Sequence, residues 1–138
     1  RVAADIRMQD ASVYDAAFDG AFDAVLLDAP CSGLGLLADK PDIRYTKSDG
    51  DVESLAALQS LLLDVCCRYV RPGGLLLYAT CTISRRENEG QIAAFLARTP
   101  AFSLERMPLP LENDGALQLL PHVHHTDGFY LARMRKCF

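Results

Sequence analysis

Apolar residues form two short runs and one longer helical pattern along the chain. The runs over residues 22–28 and 75–80 have the length and content of buried strands. Between them, residues 52–70 carry apolar side chains three and four positions apart, which predicts a helix. Asp51 is the predicted N-cap of this helix, and the Pro-Gly-Gly sequence at residues 72–74 is predicted to end it.

Weaker patterns predict the remaining elements. They are a short strand at residues 4–9, a loop at residues 31–50, a helix at residues 87–98 and two strands at residues 102–107 and 128–135, the last as an antiparallel edge strand. The sequence from Ser84 to Glu87 matches the S-x-x-E capping box that opens many helices.

Strands that alternate with helices predict an α/β fold with a mostly parallel sheet. In such sheets ligands bind at the carboxyl ends of the strands. Cys31 and Cys81 each follow one of the two predicted buried strands. If these strands are neighbours, both cysteines project into one crevice.

Composition and charge indicate a single globular domain and argue against a membrane protein. Half of the 138 residues are hydrophobic, which is enough for one domain with a buried core. No signal peptide and no membrane-length apolar run is visible, so we expect a cytoplasmic protein without a membrane partner. The net charge of −4 argues against a free-standing nucleic-acid binder, so any RNA affinity has to come from a local basic patch or from other sequence.

The cysteines and histidines do not form a recognisable metal or disulfide pattern. The five cysteines include no C-x-x-C pair, and a reduced setting fits them better than a disulfide framework. The three histidines crowd together at residues 122–125 without a suitably spaced cysteine or carboxylate. We therefore expect no metal site.

Two motifs surround the predicted crevice. Residues 28–33 (DAPCSG) and 78–83 (YATCTI) resemble the two signature motifs of the Sun/Fmu family of RNA 5-methylcytosine methyltransferases, whose bacterial members act on small-subunit (16S) ribosomal RNA. Further segments agree in order with the family: residues 40–45 (KPDIRY), 71–74 (RPGG), 87–89 (ENE) and 127–130 (DGFY).

The resemblance implies a partial Rossmann-like S-adenosylmethionine methyltransferase sheet, with residues 1–138 as the C-terminal part of the catalytic domain. The family's Gly-rich cofactor motif and its N-terminal RNA-binding domain are not in this sequence, which also does not begin with Met. The family's first two strands are missing with them. We therefore expect residues 4–9 to be displaced, to pair abnormally or to borrow strands from another chain, with non-native self-association as one outcome.

The same resemblance assigns the catalytic residues. Cys81 is the expected nucleophile toward cytosine C6, and Cys31 is expected to assist release of the methylated product through base or proton-shuttle chemistry. Asp28 is expected to engage the N3/N4 edge of the base. As alternatives, a free cysteine is often only a small apolar residue, and Asp28 could simply cap the turn after its strand.

Cofactor and RNA contacts follow from the same comparison. Asp10, Asp28 and Pro30 are the expected contacts of S-adenosylmethionine, with Asp10 beside the adenine. The expected contacts of RNA are Ser32, Gly33, Lys40, Arg44 and Thr80. Loop cations near the crevice mouth, Lys40 and Arg44 with Lys47, Arg85 and Arg86, are candidates for phosphate contacts.

Three other functions remain open on sequence grounds. The chain could be a folded, non-catalytic segment that does not bind the cofactor by itself. It could belong to a methyltransferase whose substrate is transfer RNA. A dithiol redox protein is the third alternative, and it requires a disulfide between Cys31 and Cys81.

Overall fold

The computed structural model describes residues 3–138, which form one five-stranded sheet with helices packed on it. The strands are β1 (Phe22–Asp28), β2 (Val70–Thr80), β3 (Phe102–Leu104), β4 (Ala116–Leu119) and β5 (Phe129–Lys136). Their order is β1-β2-β5-β3, and β4 pairs with β5 along the same side as β3. The helices are α1 (Ile43–Thr46), α2 (Asp49–Tyr69), α3 (Glu89–Arg98) and α4 (Pro121–His124), with short 3-10 turns at Ala16–Phe18 and Leu34–Leu36.

Four strands share one direction and β5 runs against them. β1 and β2 pair in parallel, with Asp28 opposite Ala79 at the end of the ladder. β5 is antiparallel to β2, β3 and β4. The predicted α/β fold with a mostly parallel sheet and an antiparallel C-terminal strand is confirmed. β5 lies inside the sheet rather than at its edge, because β3 and β4 pair along its other side.

The core lies between the sheet and helices α2 and α3. Leu63 of α2 and Phe95 of α3 are fully buried, and they belong to one cluster with Leu76 and Tyr78 of β2 and Met134 of β5. Alternate strand residues face these helices, as expected for a pleated sheet. Burying each large apolar side chain stabilises the fold by about 1.5–3 kcal/mol.

The other sheet face is only partly covered in the part of the chain that the structure describes. A cavity of about 410 Å³ lies there between the residues around Pro108 and apolar strand side chains that include Leu26, Leu75, Leu77 and Leu131. The bounds predicted for β1 are confirmed, but its predicted burial is wrong: Leu27 is buried, whereas Leu26 on this second face is 67% exposed. The apolar run therefore reflects a strand with one covered face here.

Residues 4–9 do not form the predicted strand. They have no regular secondary structure, and Ile6 and Met8 are almost fully exposed. The segment lies outside the sheet, as expected for a strand without its usual neighbours. None of the helices within residues 3–138 is long and apolar enough to span a membrane.

The N-terminus of α2 is capped by a residue that the sequence pattern did not select. Ser48, not Asp51, is the N-cap, and the two form a capping box. Asp51 accepts hydrogen bonds from the Ser48 amide (2.8 Å) and hydroxyl (2.7 Å), which lower the pKa of the Asp51 carboxyl. The predicted helix is therefore confirmed, but it begins three residues earlier and ends one residue earlier than predicted.

Ser48→Ala is expected to lower the free energy of unfolding by about 1 kcal/mol, because it removes the acceptor for the Asp51 amide. Urea denaturation followed by circular dichroism measures this change. Ser54→Ala is the matched control, since the Ser54 hydroxyl only donates to a carbonyl inside the helix. Equal losses in the two variants would contradict the capping role of Ser48.

The capping box predicted from Ser84 to Glu87 is wrong. α3 begins at Glu89, with Asn88 as its N-cap and no side-chain cap hydrogen bond. The Glu87 side chain does not reach back to Ser84; it accepts hydrogen bonds from Ser32 and Gln59 instead. The Glu87 carboxylate thus binds residues distant in the sequence and does not cap the helix.

Candidate active site

The two motif cysteines meet at the carboxyl ends of β1 and β2. The Ala29 amide donates to the Ala79 carbonyl (2.9 Å) and extends the pairing beyond Asp28. The Sγ atoms of Cys31 and Cys81 are 3.3 Å apart, and both residues are partly exposed. The prediction that neighbouring strands bring both cysteines into one crevice is confirmed.

The contact between the two sulfurs is a hydrogen bond, not a disulfide. A disulfide has its sulfurs about 2.0 Å apart, and all five cysteines are free thiols. Burial, followed by the hydrogen bond of its S–H to the Cys81 sulfur, raises the pKa of the Cys31 thiol to about 12. Cys31 is therefore protonated at neutral pH and can donate its S–H to the Cys81 sulfur. The disulfide that the redox alternative requires is not formed.

Glycines hold the loop after Cys31 against the second motif. Gly33 has a φ of 72°, a left-handed conformation that favours glycine, and it is buried near Ile43. The Gly35 amide donates to the Cys81 carbonyl (3.1 Å), and the Gly128 amide donates to the Gly35 carbonyl (2.9 Å). A Cβ atom at Gly35 would overlap the Gly128 carbonyl. Backbone conformation and close packing therefore account for these glycines.

Two predicted RNA contacts are buried beneath the crevice. Ser32 and Thr80 are 1% and 0% exposed. The Ser32 hydroxyl donates to Glu87 (2.6 Å), and the Thr80 hydroxyl donates to Asn88 (2.6 Å). In this structure the side chains of Ser32 and Thr80 thus bind other residues of the chain on the inner side of the cysteines, and their contact with RNA stays a prediction.

The acceptors of these buried hydroxyls, Glu87 and Asn88, were not predicted from the sequence. Glu87, Asn88 and Gln59 are fully buried polar residues. Glu87 and Asn88 were visible only as part of an E-N-E segment, and Gln59 only as a polar residue within a helical pattern. For Gln59 the sequence signal was a polar residue at a buried position of a predicted helix. For none of the three residues did the sequence indicate the hydrogen-bond partner.

The predicted cofactor contacts lie on the surface. Asp28 and Pro30 are exposed at the end of β1, which leaves the Asp28 carboxylate open to solvent. Asp10 is also exposed, and hydrogen bonds from the Ser12 hydroxyl and amide lower the pKa of its carboxyl. The structure does not bring Asp10 into a hydrogen-bonded cluster with Asp28 within the described residues.

The predicted basic residues divide into two groups. Arg85 and Arg86 line a cavity of about 360 Å³ together with Ile83, next to the Cys81 loop. Arg86 also lies 3.9 Å from Asp49, an exposed pair that contributes little to stability. The other three, Lys40, Arg44 and Lys47, are exposed around α1. The arginines are thus the cations placed closest in the chain to the nucleophile candidate.

Comparison with known proteins agrees with this geometry. Residues 2–135 match the family model described as 16S rRNA methyltransferase RsmB/F. Ribosomal RNA small subunit methyltransferase B of Shewanella oneidensis is 44% identical over 135 residues, which cover 96% of this chain and 32% of that protein. The probable ribosomal RNA small subunit methyltransferase B of Bacillus subtilis is 46% identical over 123 residues, covering 83% of this chain and 28% of that protein.

Solved structures share the fold. The crystal structure of PH0851 has a TM-score of 0.81 and 37% identity, covering 86% of this chain and 27% of that one. The crystal structure of NSun6 from Pyrococcus horikoshii with SFG has a TM-score of 0.72 and 30% identity, covering 82% of this chain and 29% of that one.

The chain spans less than a third of the length of these relatives. Within that span the match is nearly continuous, and it includes both cysteine motifs and the strands that carry them. This chain therefore belongs to the 16S rRNA methyltransferase RsmB/F family.

Proposed function

We propose that a full-length family enzyme carrying this segment methylates C5 of a cytosine in small-subunit ribosomal RNA. Cys81 is the nucleophile in this proposal, and S-adenosylmethionine is the methyl donor. The observation that carries it is the 3.3 Å contact between Cys31 and Cys81 at the ends of adjacent parallel strands. A relative that modifies ribosomal RNA in bacteria works in the cytoplasm, which is where we place this enzyme.

The chemistry explains why a cysteine is needed. Cytosine C5 is a weak nucleophile, so the reaction needs covalent activation of the base. The Cys81 thiolate attacks C6, and the electron pair of the C5–C6 double bond becomes available at C5. After C5 has been methylated, loss of its proton restores the double bond and expels the Cys81 thiolate. The S–C6 bond formed in the first step is broken in the last, so the complete cycle regenerates the Cys81 thiolate.

Cys31 supports this cycle as a hydrogen-bond donor. Because its thiol is protonated, the S–H can stabilise negative charge on the Cys81 sulfur, both before attack on C6 and when that sulfur leaves. A neutral thiol is a poor base, so the structure favours the proton-shuttle role of Cys31 over the base role. The proton on C5 then has to pass to another group.

Asp28 supplies the carboxylate of the proposed site. It lies at the end of β1, three residues before Cys31, and it is exposed at the mouth of the crevice. Among the described residues, the Asp28 carboxylate accepts no hydrogen bond from the turn that follows, so the alternative role as a turn cap has no support here. We assign it to the N3/N4 edge of the cytosine, where a carboxylate stabilises the protonated adduct.

The residues present fit one side of an S-adenosylmethionine site. Asp10, Asp28 and Pro30 are exposed and free to contact a ligand, and the second oxygen of Asp10 is not used by Ser12. S-adenosylmethionine, when bound, supplies the methyl group. Residues 1–138 contain no Gly-rich strand-to-helix loop to hold the rest of it. For the segment alone we therefore propose no detectable cofactor binding, which isothermal calorimetry with S-adenosylmethionine would test.

RNA contacts are assigned to the exposed cations. Arg85 and Arg86 line a cavity with Ile83, which follows Cys81 by two positions, and this placement suits phosphates on either side of the target nucleotide. Lys40 and Arg44 extend the basic surface around α1. A target cytosine within a duplex has to flip out of the stack to reach the thiol.

Covalent trapping tests the proposal. RNA carrying 5-fluorocytidine lacks the C5 proton whose loss releases the enzyme, so the full-length family enzyme should remain attached to it in the presence of S-adenosylmethionine. Peptide mapping should find the adduct on Cys81. An adduct on Cys31 would reverse the assignment, and methylation of normal RNA without any trapped adduct would refute the covalent route. Parallel ribosomal and transfer RNA transcripts decide between the two substrate classes.

A further inference from the structure

The residues on either side of both cysteines are tied to one short segment of the chain. Glu87 and Asn88, which immediately precede α3, are both completely buried. Directly or through Gln59 they bind the backbone or side chains of the four residues that flank the cysteines, namely Pro30, Ser32, Thr80 and Thr82. We call Glu87, Asn88 and Gln59 the cysteine clamp.

Glu87 joins the two motifs to each other. Its Oε1 accepts from the Ser32 amide (2.8 Å), and its Oε2 accepts from the Ser32 hydroxyl (2.6 Å). The Thr82 hydroxyl lies 3.3 Å from the same Oε2 and 2.8 Å from the Ser32 hydroxyl. One carboxylate therefore fixes the residue that follows Cys31 and the residue that follows Cys81.

Asn88 holds the second motif from both sides of its cysteine. Its Oδ1 accepts from the Thr80 hydroxyl (2.6 Å), and its Nδ2 donates to the Thr82 carbonyl (2.9 Å). The same nitrogen donates to Gln118 Oε1 of β4 (2.8 Å). Cys81 is thus fixed between two residues that bind one side chain.

Gln59 completes the clamp from α2. Its Nε2 donates to the Pro30 carbonyl (2.9 Å) and to Glu87 Oε1 (3.1 Å). Its Oε1 is buried without a hydrogen-bond partner among the described residues, which destabilises the fold. An apolar side chain at position 59 would leave no unpartnered oxygen. The advantage of glutamine is therefore the two hydrogen bonds of its Nε2, which hold Pro30 and Glu87 in place.

We propose that Glu87, Asn88 and Gln59 are positioning residues that set the separation and alignment of the Cys31 and Cys81 sulfurs. Tyr78 anchors the arrangement, because its buried hydroxyl donates to the Glu87 carbonyl (2.7 Å). The clamp touches neither sulfur and acts only through the neighbouring residues. Its effect on catalysis rests on the function proposed above, whereas its effect on the distance between the sulfurs does not.

The geometry of the thiol pair can be measured without substrate. In mixtures of oxidised and reduced glutathione, the two thiols reduce one oxidised glutathione, forming an intramolecular disulfide and two reduced glutathione molecules. The equilibrium constant reports the effective concentration of one thiol at the other. Mass spectrometry of peptides isolates the Cys31–Cys81 disulfide from the other three cysteines. The experiment uses a full-length family enzyme carrying this segment.

Three variants give distinct expectations. Glu87→Ala should lower the disulfide constant by about tenfold or more, because loops that are freed to move lose effective concentration. Glu87→Gln should stay within about threefold of the wild type, because an amide can accept from the Ser32 amide and donate to its hydroxyl. Glu89→Ala is the matched control, since Glu89 is exposed one position after the clamp, and it should change nothing.

The outcomes separate positioning from stability. A purely structural Glu87 would lower the free energy of unfolding in Glu87→Ala but leave the disulfide constant equal to that of Glu89→Ala, and this result would overturn the proposal. If Glu87→Ala does not fold, Gln59→Leu decides. This substitution removes the unpartnered Oε1 together with the hydrogen bonds of Nε2 to Pro30 and Glu87. The variant should therefore fold and still show a disulfide constant lower by about threefold or more. An unchanged constant in Gln59→Leu would overturn the proposal equally.

Activity provides the second measurement. In variants that fold, kcat should fall in parallel with the disulfide constant while KM for RNA stays constant, because the clamp does not face the RNA surface. If the disulfide constant falls but trapping on 5-fluorocytidine RNA does not depend on Cys81, the proposed function fails and the clamp stands. If trapping requires Cys81 but the constant is unchanged in Glu87→Ala, the clamp fails and the proposed function stands.

Discussion

Cys81→Ala in the full-length enzyme is expected to lower kcat/KM for methylation by at least about 1,000-fold, because loss of a covalent nucleophile removes the step on which all later steps depend. No other thiol can take over at the same place. Cys31 is 3.3 Å away, but burial, the main cause that raises the pKa of its thiol, persists in Cys81→Ala and disfavours its thiolate. Transfer of labelled methyl groups to RNA under single-turnover conditions measures the loss.

Cys67→Ala is the control for Cys81→Ala. Cys67 lies in α2, packed against the core and remote in the chain from both motifs, so its loss should leave the methylation rate within about threefold of the wild type. RNA binding should be equal in all three proteins, since neither thiol is assigned to phosphate contacts. A Cys81→Ala enzyme that still methylates cytosine at more than a tenth of the normal rate would exclude covalent catalysis by Cys81.

The elements around these cysteines were predictable because local patterns determine them. β1 spans the residues of the apolar run, Phe22–Asp28, and α2 follows the spacing of its apolar side chains. The convergence of Cys31 and Cys81 then follows from parallel pairing alone. Strand ends that lie side by side bring whatever follows them together, so no knowledge of individual side-chain contacts was needed.

Buried polar contacts were not predictable in the same way. Ser84 and Glu87 satisfy a local capping pattern, yet Glu87 binds Ser32, which is 55 positions earlier in the chain. Such a partner becomes available only when β1 and β2 are already paired. The buried acceptors of the Ser32 and Thr80 hydroxyls were not predictable for the same reason, since a hydroxyl in a motif can face either a substrate or a buried acceptor.

The burial of β1 depended on context that this stretch of sequence does not contain. An apolar run indicates that both faces of a strand are suited to burial. In residues 3–138 only one face of β1 meets helices, and Leu26 stays exposed above the apolar cavity. Residues 4–9 likewise remain outside the sheet. The pattern of apolar residues indicates which faces of a strand are suited to burial, and the elements that pack on the strand determine how much of each face is buried.

Cys31→Ser is expected to slow release of the product more than attack on C6, so that covalent enzyme–RNA adduct accumulates on ordinary cytosine RNA. Loss of a positioned proton donor costs about 100-fold or more in the step it assists. A serine hydroxyl in place of the Cys31 thiol has a shorter bond to Cβ and cannot hold the same contact with the Cys81 sulfur. Denaturing gels measure the adduct, and multiple-turnover assays measure release.

The double variant Cys31→Ser with Cys81→Ala provides the control for that adduct. Since the adduct is bound through Cys81, it should disappear completely in the double variant while RNA affinity is unchanged. Cys137→Ser, an exposed thiol at the end of the chain, should show neither adduct nor slow turnover. If Cys31→Ser turns over at the normal rate without adduct, the 3.3 Å contact between the sulfurs has no part in product release, and Cys31 is only a packing residue of its turn.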